Sequence, residues 1–289
     1  MAAREIMRYV IALGGNALEK ATMHSVAKAI RTLCRKGDEI VMTHGNGPQV
    51  GELATLEKKS LALLTAQTAA EIGLAIEGSL HTKESKVATL ITRVLVNPQD
   101  SAFRNPSKPI GKVLGRSEAM EHVKMGFVVR KTAVGLRRVV ASPAPQDILE
   151  TRVIRSLLGG GYMVIAGGGG GVPMFYKGGR VCYADAVIDK DLTSALIAEK
   201  VGADRLVILT TVDGAYTGFK TKKQRRIGKI RADALEAMLA LGEFEDGSMK
   251  PKVRACINFV KATGGIASIG SLSRPTDALS LKNATVITS

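Results

Sequence analysis

The chain has no tryptophan, and aromatic residues fill only 4% of its 289 positions. Stacking of bases on exposed rings is therefore unsupported. The three cysteines, Cys34, Cys182 and Cys256, lie far apart and form no CxxC pair. That argues against a disulfide framework or a zinc site, and each thiol reads as a small buried hydrophobe. The four histidines, His24, His44, His81 and His122, show no metal-ligand spacing. No run of 18 apolar residues and no secretory pattern occurs, so a soluble cytoplasmic protein without membrane partners is expected. No GxxxxGK[ST] stretch occurs either, which excludes a Walker-type phosphate loop.

Acidic residues are scarce beside basic ones: 26 Asp and Glu against 41 Lys and Arg give a formal charge of +15. Such an excess favours anionic partners, either a small anionic substrate or a nucleic acid. The densest basic stretch runs from Lys220 to Arg231. It lacks interleaved aromatics and reads as a solvated loop, so nucleic acid is not the expected partner.

Glycine is plentiful and well placed. Gly14-Gly15-Asn16 follows the apolar run Tyr9–Leu13, and His44-Gly45-Asn46-Gly47-Pro48 follows Ile40–Thr43. A buried strand that ends in glycines before a helix brings bare N–H groups to a sheet edge, where they suit an anion. A third turn, Gly167 to Gly171, follows Met163–Ala166. A flexible linker would have polar flanks. This run has apolar ones, which favours a backbone that approaches a ligand closely. His44 adjoins the second turn and reads as a packing or hydrogen-bonding residue rather than a base.

Strand-like and helix-like segments alternate along most of the chain. The fold class expected is α/β: a mostly parallel sheet covered by helices on both faces. Val87 to Val94 reads as one strand. Ala267–Ile269 and Thr285–Ile287 close the sheet. Asn97 to Pro145 breaks the rhythm with five prolines and a basic cluster. Phe127–Val129 and Arg138–Val140 within it suggest a hairpin. The segment suits either a lid over an anionic site or a decorative insertion.

Asp189-Lys190-Asp191 follows Ala186–Ile188 and opens a helix at Leu192. An aspartate there is ordinarily a cap, but three alternating charges exceed what a cap requires. The lysine suits a transferring phosphoryl group; the aspartates suit holding it in place or binding magnesium through water. In Gly247-Ser248-Met249-Lys250-Pro251-Lys252, Pro251 suits a first helical turn. Lys252 would then oppose the helix dipole, so its ammonium serves an anion. Leu209 to Tyr216 reads as a strand and turn against which a nucleotide would lie.

VIALGGNAL, THGNGPQVG, NPSKPIG, RRVVASPAP, VIAGGGGGVP, the stretch from Ala186 to Tyr216, and GSMKPKV occur in that order. In these the chain resembles the carbamate kinases of the amino acid kinase superfamily. The resemblance implies an open three-layer αβα sandwich with a mainly parallel eight-stranded sheet, formed by a single domain over residues 1–289. It also implies a small protruding, lid-like subdomain at 98–142. It implies the reaction ATP + carbamate ⇌ ADP + carbamoyl phosphate, with magnesium as cofactor, a homodimer and a place in arginine metabolism. Carbamoyl phosphate is a reactive acyl phosphate, so the direction toward ATP is expected.

Roles follow from the same resemblance. Gly14, Gly15 and Asn16, with Gly45, Asn46, Gly168 and Gly169, would surround carbamate and the transferring phosphoryl group. Lys190 would neutralise phosphoryl oxygens, with Asp189 and Asp191 orienting the lysines and the metal. Magnesium would be held by phosphates and by Asp191 rather than by a set of side chains. Lys252 would meet the terminal phosphates. Lys108 would swing in as a further catalytic lysine, and Asp213, Tyr216 and Met249 would line the nucleotide. Two alternatives stand beside this reading: another kinase of the superfamily acting on a small carboxylate or phosphate, and a nucleotide-binding sensor that has lost turnover.

Overall fold

The computed structural model describes residues 6–14, 20–34, 37–56, 59–83, 85–132, 134–245 and 247–289, with backbone alone at 20, 21 and 56. The chain runs β1 (Arg8–Leu13), α1 (Lys20–Leu33), β2 (Glu39–His44), α2 (Gly47–Leu56), α3 (Leu61–Leu80), β3 (Lys86–Thr89) and β4 (Arg93–Val96). It continues through β5 (Lys108–Leu114), α4 (Arg116–Lys124), β6 (Val129–Thr132), β7 (Gly135–Val140) and β8 (Pro145–Ile148). Then come α5 (Thr151–Gly159), β9 (Tyr162–Ile165), β10 (Val172–Lys177), β11 (Arg180–Tyr183), α6 (Lys190–Val201) and β12 (Arg205–Thr210). The remainder holds β13 (Tyr216–Thr217), β14 (Arg225–Arg226), β15 (Lys229–Arg231), α7 (Ala232–Ala240), α8 (Met249–Thr263), β16 (Ile266–Ser271), α9 (Pro275–Leu279) and β17 (Thr285–Thr288).

Among the described residues the main sheet has eight strands in the order β15-β17-β16-β12-β1-β2-β9-β3. Every neighbouring pair is parallel except β16 with β17. Strand periodicity sends alternate side chains to opposite faces. Val10, Ala12, Val41, Leu206 and Ile208 face a core that includes Ile154, Ile197, Leu235 and Val253 of α5 to α8. Ile11, Leu13, Met42, Val207 and Leu209 face a second core with Val26, Ile30, Ile72, Ile76 and Leu279 of α1, α3 and α9. The sheet is thus buried on both sides, which is why its strands read as continuous apolar runs.

Val87 to Val94 is not one strand. β3 pairs with β9 in the main sheet, whereas β4 pairs with β10 and β8 in a separate sheet ordered β11-β10-β4-β8. The chain changes sheets at Leu90–Thr92, and β9 changes sheets beside it through the glycine run. Thr92 fastens both ends of that run: its Oγ1 accepts from Gly167 N at 2.8 Å, and its carbonyl accepts from Val172 N at 2.8 Å. An unbroken apolar stretch carries no mark of such a crossing, because both halves are buried. Lys220 to Arg231 also differs from the solvated loop expected. It contains β14, paired with β13, and β15, an edge strand of the main sheet.

Between β4 and β8, strands β5, β7 and β6 form an antiparallel three-stranded sheet in that order, with α4 between β5 and β6. The hairpin expected at 127–140 is the β6–β7 pair, where Val129 faces Arg138.

Two glycines of the third turn are fixed by their surroundings. Gly170 has φ +89°, and a Cβ there would lie 2.2 Å from Ile188 O. Gly169 has φ +67°, and its Cβ would lie 2.2 Å from Asn46 Nδ2. Gly170→Ala should cost at least about 1–3 kcal/mol from backbone strain alone. A urea midpoint unchanged from wild type would contradict this.

Candidate active site

The start of α6, the first residue of β5 and the first turn of α8 supply one group of charged residues. Asp189 caps α6: its Oδ1 accepts from Asp191 N at 2.9 Å and Leu192 N at 3.4 Å. The other oxygen, Oδ2, accepts from Lys108 Nζ at the start of β5. Lys190 donates to Asp191 Oδ1, and Lys252 Nζ in the first turn of α8 donates to Asp191 Oδ2 at 2.9 Å. One carboxylate, its side chain 3% exposed, therefore sits between two ammonium groups. With Lys108 and Asp189 added, three ammonium groups face two carboxylates, leaving one positive charge in excess.

Hydrogen bonds lock this group to the glycine turns. Thr193 Oγ1 donates to Gly170 O at 2.8 Å. Ser194 Oγ donates to Lys190 O and meets Thr43 Oγ1 at the end of β2, each at 2.6 Å. Asn46 is buried, and its Nδ2 donates to Thr68 Oγ1 at 2.8 Å.

The electrostatics follow from burial. Burial pushes the Lys190 pKa down; Asp191 opposes this, Lys252 adds to it, and the net shift is downward. Burial alone would raise the Asp191 carboxyl, but Lys190 and Lys252 outweigh it and hold it below the ordinary carboxylate range. Burial likewise opposes the charge on Lys252, and Asp191 more than compensates, so its pKa is raised. The arrangement is a buried cationic clamp around one fixed anion, with capacity for a second.

Beside it lies a cavity of about 380 Å³ between the end of β12, the β13–β14 hairpin and the turn between α7 and α8. Val212, Tyr216, Phe219, Phe244 and Met249 give it apolar walls, and Lys252 forms one end. An apolar slot with an ammonium group in its lining suits a ligand with an apolar body and an anionic group.

Residues 7–269 match the model of the amino acid kinase family. The chain is 41% identical to a carbamate kinase of Thermoplasma volcanium over 98% of its length and 99% of the relative's. The chain belongs to the carbamate kinases of that family. Its fold superposes on the carbamate kinase of Giardia lamblia bound to citric acid with a TM-score of 0.89, at 34% identity and 98% coverage of both chains. The same enzyme bound to AMP-PNP gives 0.85, again at 34% identity and 98% coverage of both.

Among the residues singled out from sequence, Lys108, Asp189, Lys190, Asp191 and Lys252 form one connected network. Gly168 and Gly169 are buried beside His44 and Asn46. Gly15 and Asn16 lie outside the described residues. The N–H groups of Gly14 and Gly45 are not bare, contrary to expectation: Gly14 N donates to Leu209 O at 2.9 Å and Gly45 N to Leu13 O at 3.3 Å. Each extends a parallel ladder by one residue. Asp213 does not line the cavity. It accepts from the Tyr216 hydroxyl at 2.6 Å and from Arg226 at 3.3 Å, and so stands behind the ring that does. Sequence reading missed Phe219, Phe244 and Val134, all of which line the cavity. Val134 sits at the β6–β7 turn, far away in sequence, and no local pattern signals it.

His44 is 2% exposed, and burial first, then Lys190, lower its pKa to about 4 against backbone acceptors that oppose the shift. It stays neutral in the fold while the unfolded chain takes up its proton below about pH 6.5. Stability should therefore fall as pH drops from about 6.5 toward 4, by roughly 2 kcal/mol between pH 7 and 5. In His44→Gln that part of the acid sensitivity should disappear from urea titrations at the two pH values. An equal loss in both proteins would remove His44 from the account.

Proposed function

We propose that this protein is a carbamate kinase that transfers a phosphoryl group from carbamoyl phosphate to ADP, yielding ATP and carbamate. The observation that carries the reading is Asp191 shared by buried Lys190 and Lys252 beside an apolar cavity. In this reaction a β-phosphate oxygen of ADP forms a bond to phosphorus. The bond from phosphorus to the carbamoyl oxygen breaks, and carbamate leaves with the electron pair. Nothing covalent is required of the protein; positioning and charge neutralisation suffice.

Lys190 and Lys252 take the non-bridging oxygens of the transferring group, and Asp191 holds the two ammonium groups in place. Lys108, held by Asp189, adds a third cation. A single ammonium group about 4 Å from a phosphoryl oxygen gains roughly 4 kcal/mol at an effective dielectric near 20. Gly14, Gly45, Asn46, Gly168 and Gly169 form the carbamate end, and the resemblance gives Gly15 and Asn16 the same role. Tyr216, steadied by Asp213, and Met249 hold the base.

Magnesium enters as part of the nucleotide substrate. No group of three or more His, Cys, Asp or Glu side chains placed to hold a metal occurs among the described residues. Phosphate oxygens would carry the ion, with Asp191 as the side chain that could join them. Residues 98–142 act as a lid-like subdomain within a single domain over 1–289, with Val134 at its tip reaching the nucleotide. A homodimer belongs to the same proposal and would show twice the 30.5 kDa chain mass by light scattering.

The test is ATP formation from ADP, Mg²⁺ and carbamoyl phosphate by the purified protein. Rapid, enzyme-dependent ATP formation is expected. A folded protein that binds ADP and forms no ATP would overturn the proposal.

A further inference from the structure

Gly51 lies inside helix α2, where glycine costs about 0.5–1 kcal/mol relative to alanine. What it permits is visible across the helix. A Cβ on Gly51 would lie 1.8 Å from Gly111 N, 2.1 Å from Gly111 Cα and 2.7 Å from Ile110 C. All three are backbone atoms, so no side-chain rotation relieves the clash. Strand β5 touches α2 main chain to main chain at this point. Gly111 meets it in the left-handed region at φ +68°, where the β5–β7 ladder is irregular between Ile110 and Leu114.

Two further contacts hold the same junction, and a third braces β5 within its own sheet. Ile110 and Val140 of the three-stranded sheet enter a small separate core with Val50 of α2, Leu61 and Leu64 of α3, and Val187. Val187 lies two residues before Asp189. Arg138 Nη1 donates to Ala54 O of α2 at 3.0 Å, and Arg137 Nη2 donates to Gly111 O at 2.5 Å. The residue that begins β5, three before Gly111, is Lys108, which pairs with Asp189.

We infer that Gly51 is a positioning residue for Lys108: its missing side chain lets β5 seat on α2, and that seating holds the Lys108 ammonium against Asp189. The α2 contact is then the mount from which β5 presents Lys108 to Asp189. The catalytic consequence rests on the carbamate kinase reading; the placement of the lysine does not.

Two variants disturb the seat by opposite means. Gly51→Ala inserts a group, and Ile110→Ala withdraws one from the small core. The first readout needs no turnover: competitive reductive methylation of the folded protein, with each lysine quantified by mass spectrometry. Both variants should raise Lys108 labelling at least about fivefold and leave Lys190 and Lys252 within about twofold. Unchanged Lys108 labelling in a folded variant would overturn the inference whatever the protein catalyses. A general rise at all three lysines would also overturn it, since that is loosening of the whole site.

The second readout is the rate of ATP formation in a double-mutant cycle with Lys108→Ala. Gly51→Ala should lower kcat at least about tenfold when Lys108 is present and less than about twofold in the Lys108→Ala background. Equal losses in both backgrounds would make Gly51 merely structural. If wild type forms no ATP, the function reading fails while the labelling result still decides the inference.

Discussion

Lys190→Met should reduce kcat for ATP formation by about 100- to 1000-fold while the protein remains folded and binds ADP. Lys190 does not line the nucleotide cavity, whereas Lys252 does. Equilibrium affinity for ADP should therefore survive the loss of Lys190, and Lys252→Met should weaken ADP binding as well as turnover. Folding survives because Asp191 is not orphaned: Lys252 still donates to its Oδ2 at 2.9 Å, and methionine fills a similar volume. The pH profile supplies a second signature. Burial lowers the Lys190 pKa below the ordinary lysine value, so wild-type turnover should decline on the alkaline side as this proton is lost. The decline should be absent from the residual activity of Lys190→Met. Turnover within threefold of wild type would remove Lys190 from the phosphoryl clamp.

Much of this site was legible because its chemistry depends on local sequence. Asp189-Lys190-Asp191 is a cap and a first helical turn, so three adjacent residues announce both the helix start and the charges. Gly167 to Gly171 announces a backbone that side chains cannot occupy. The parallel sheet was equally open to reading, since strands buried on both faces must be apolar throughout. What failed were features decided between distant segments. Gly14 and Gly45 were expected to present free N–H groups, but whether a ladder continues past a strand end depends on the neighbouring strand. Leu209 and Leu13 supply the missing acceptors. The crossing from one sheet to another at Thr92 is also decided elsewhere, by the N–H groups of Gly167 and Val172. Gly51 carries no local signal in THGNGPQVG, because its partner Gly111 belongs to another motif.

Asp191→Asn should cost about 3–5 kcal/mol of stability at neutral pH, as expected when a buried ionic cluster loses the counter-charge both lysines donate to. Lys190 and Lys252 would then face each other with a neutral amide between them, in a place water reaches poorly. The acid limb gives the sign check. The folded-state Asp191 carboxyl is held below its ordinary value, so its contribution is fully present above about pH 4 and is lost as pH falls through the folded value. The difference between the two proteins should be largest at neutral pH and shrink in strong acid, where wild type carries a neutral acid at this position too. Inorganic phosphate separates a structural carboxylate from one that belongs to a phosphoryl clamp. If the two lysines are arranged for a phosphoryl group, millimolar phosphate should stabilise Asp191→Asn more than wild type, because the anion takes the place the carboxylate left. Equal stabilisation of both proteins would mean that Asp191 merely neutralises buried lysines. A larger gain in the variant would mean that an anionic phosphate gathers the two ammonium groups that Asp191 otherwise holds together.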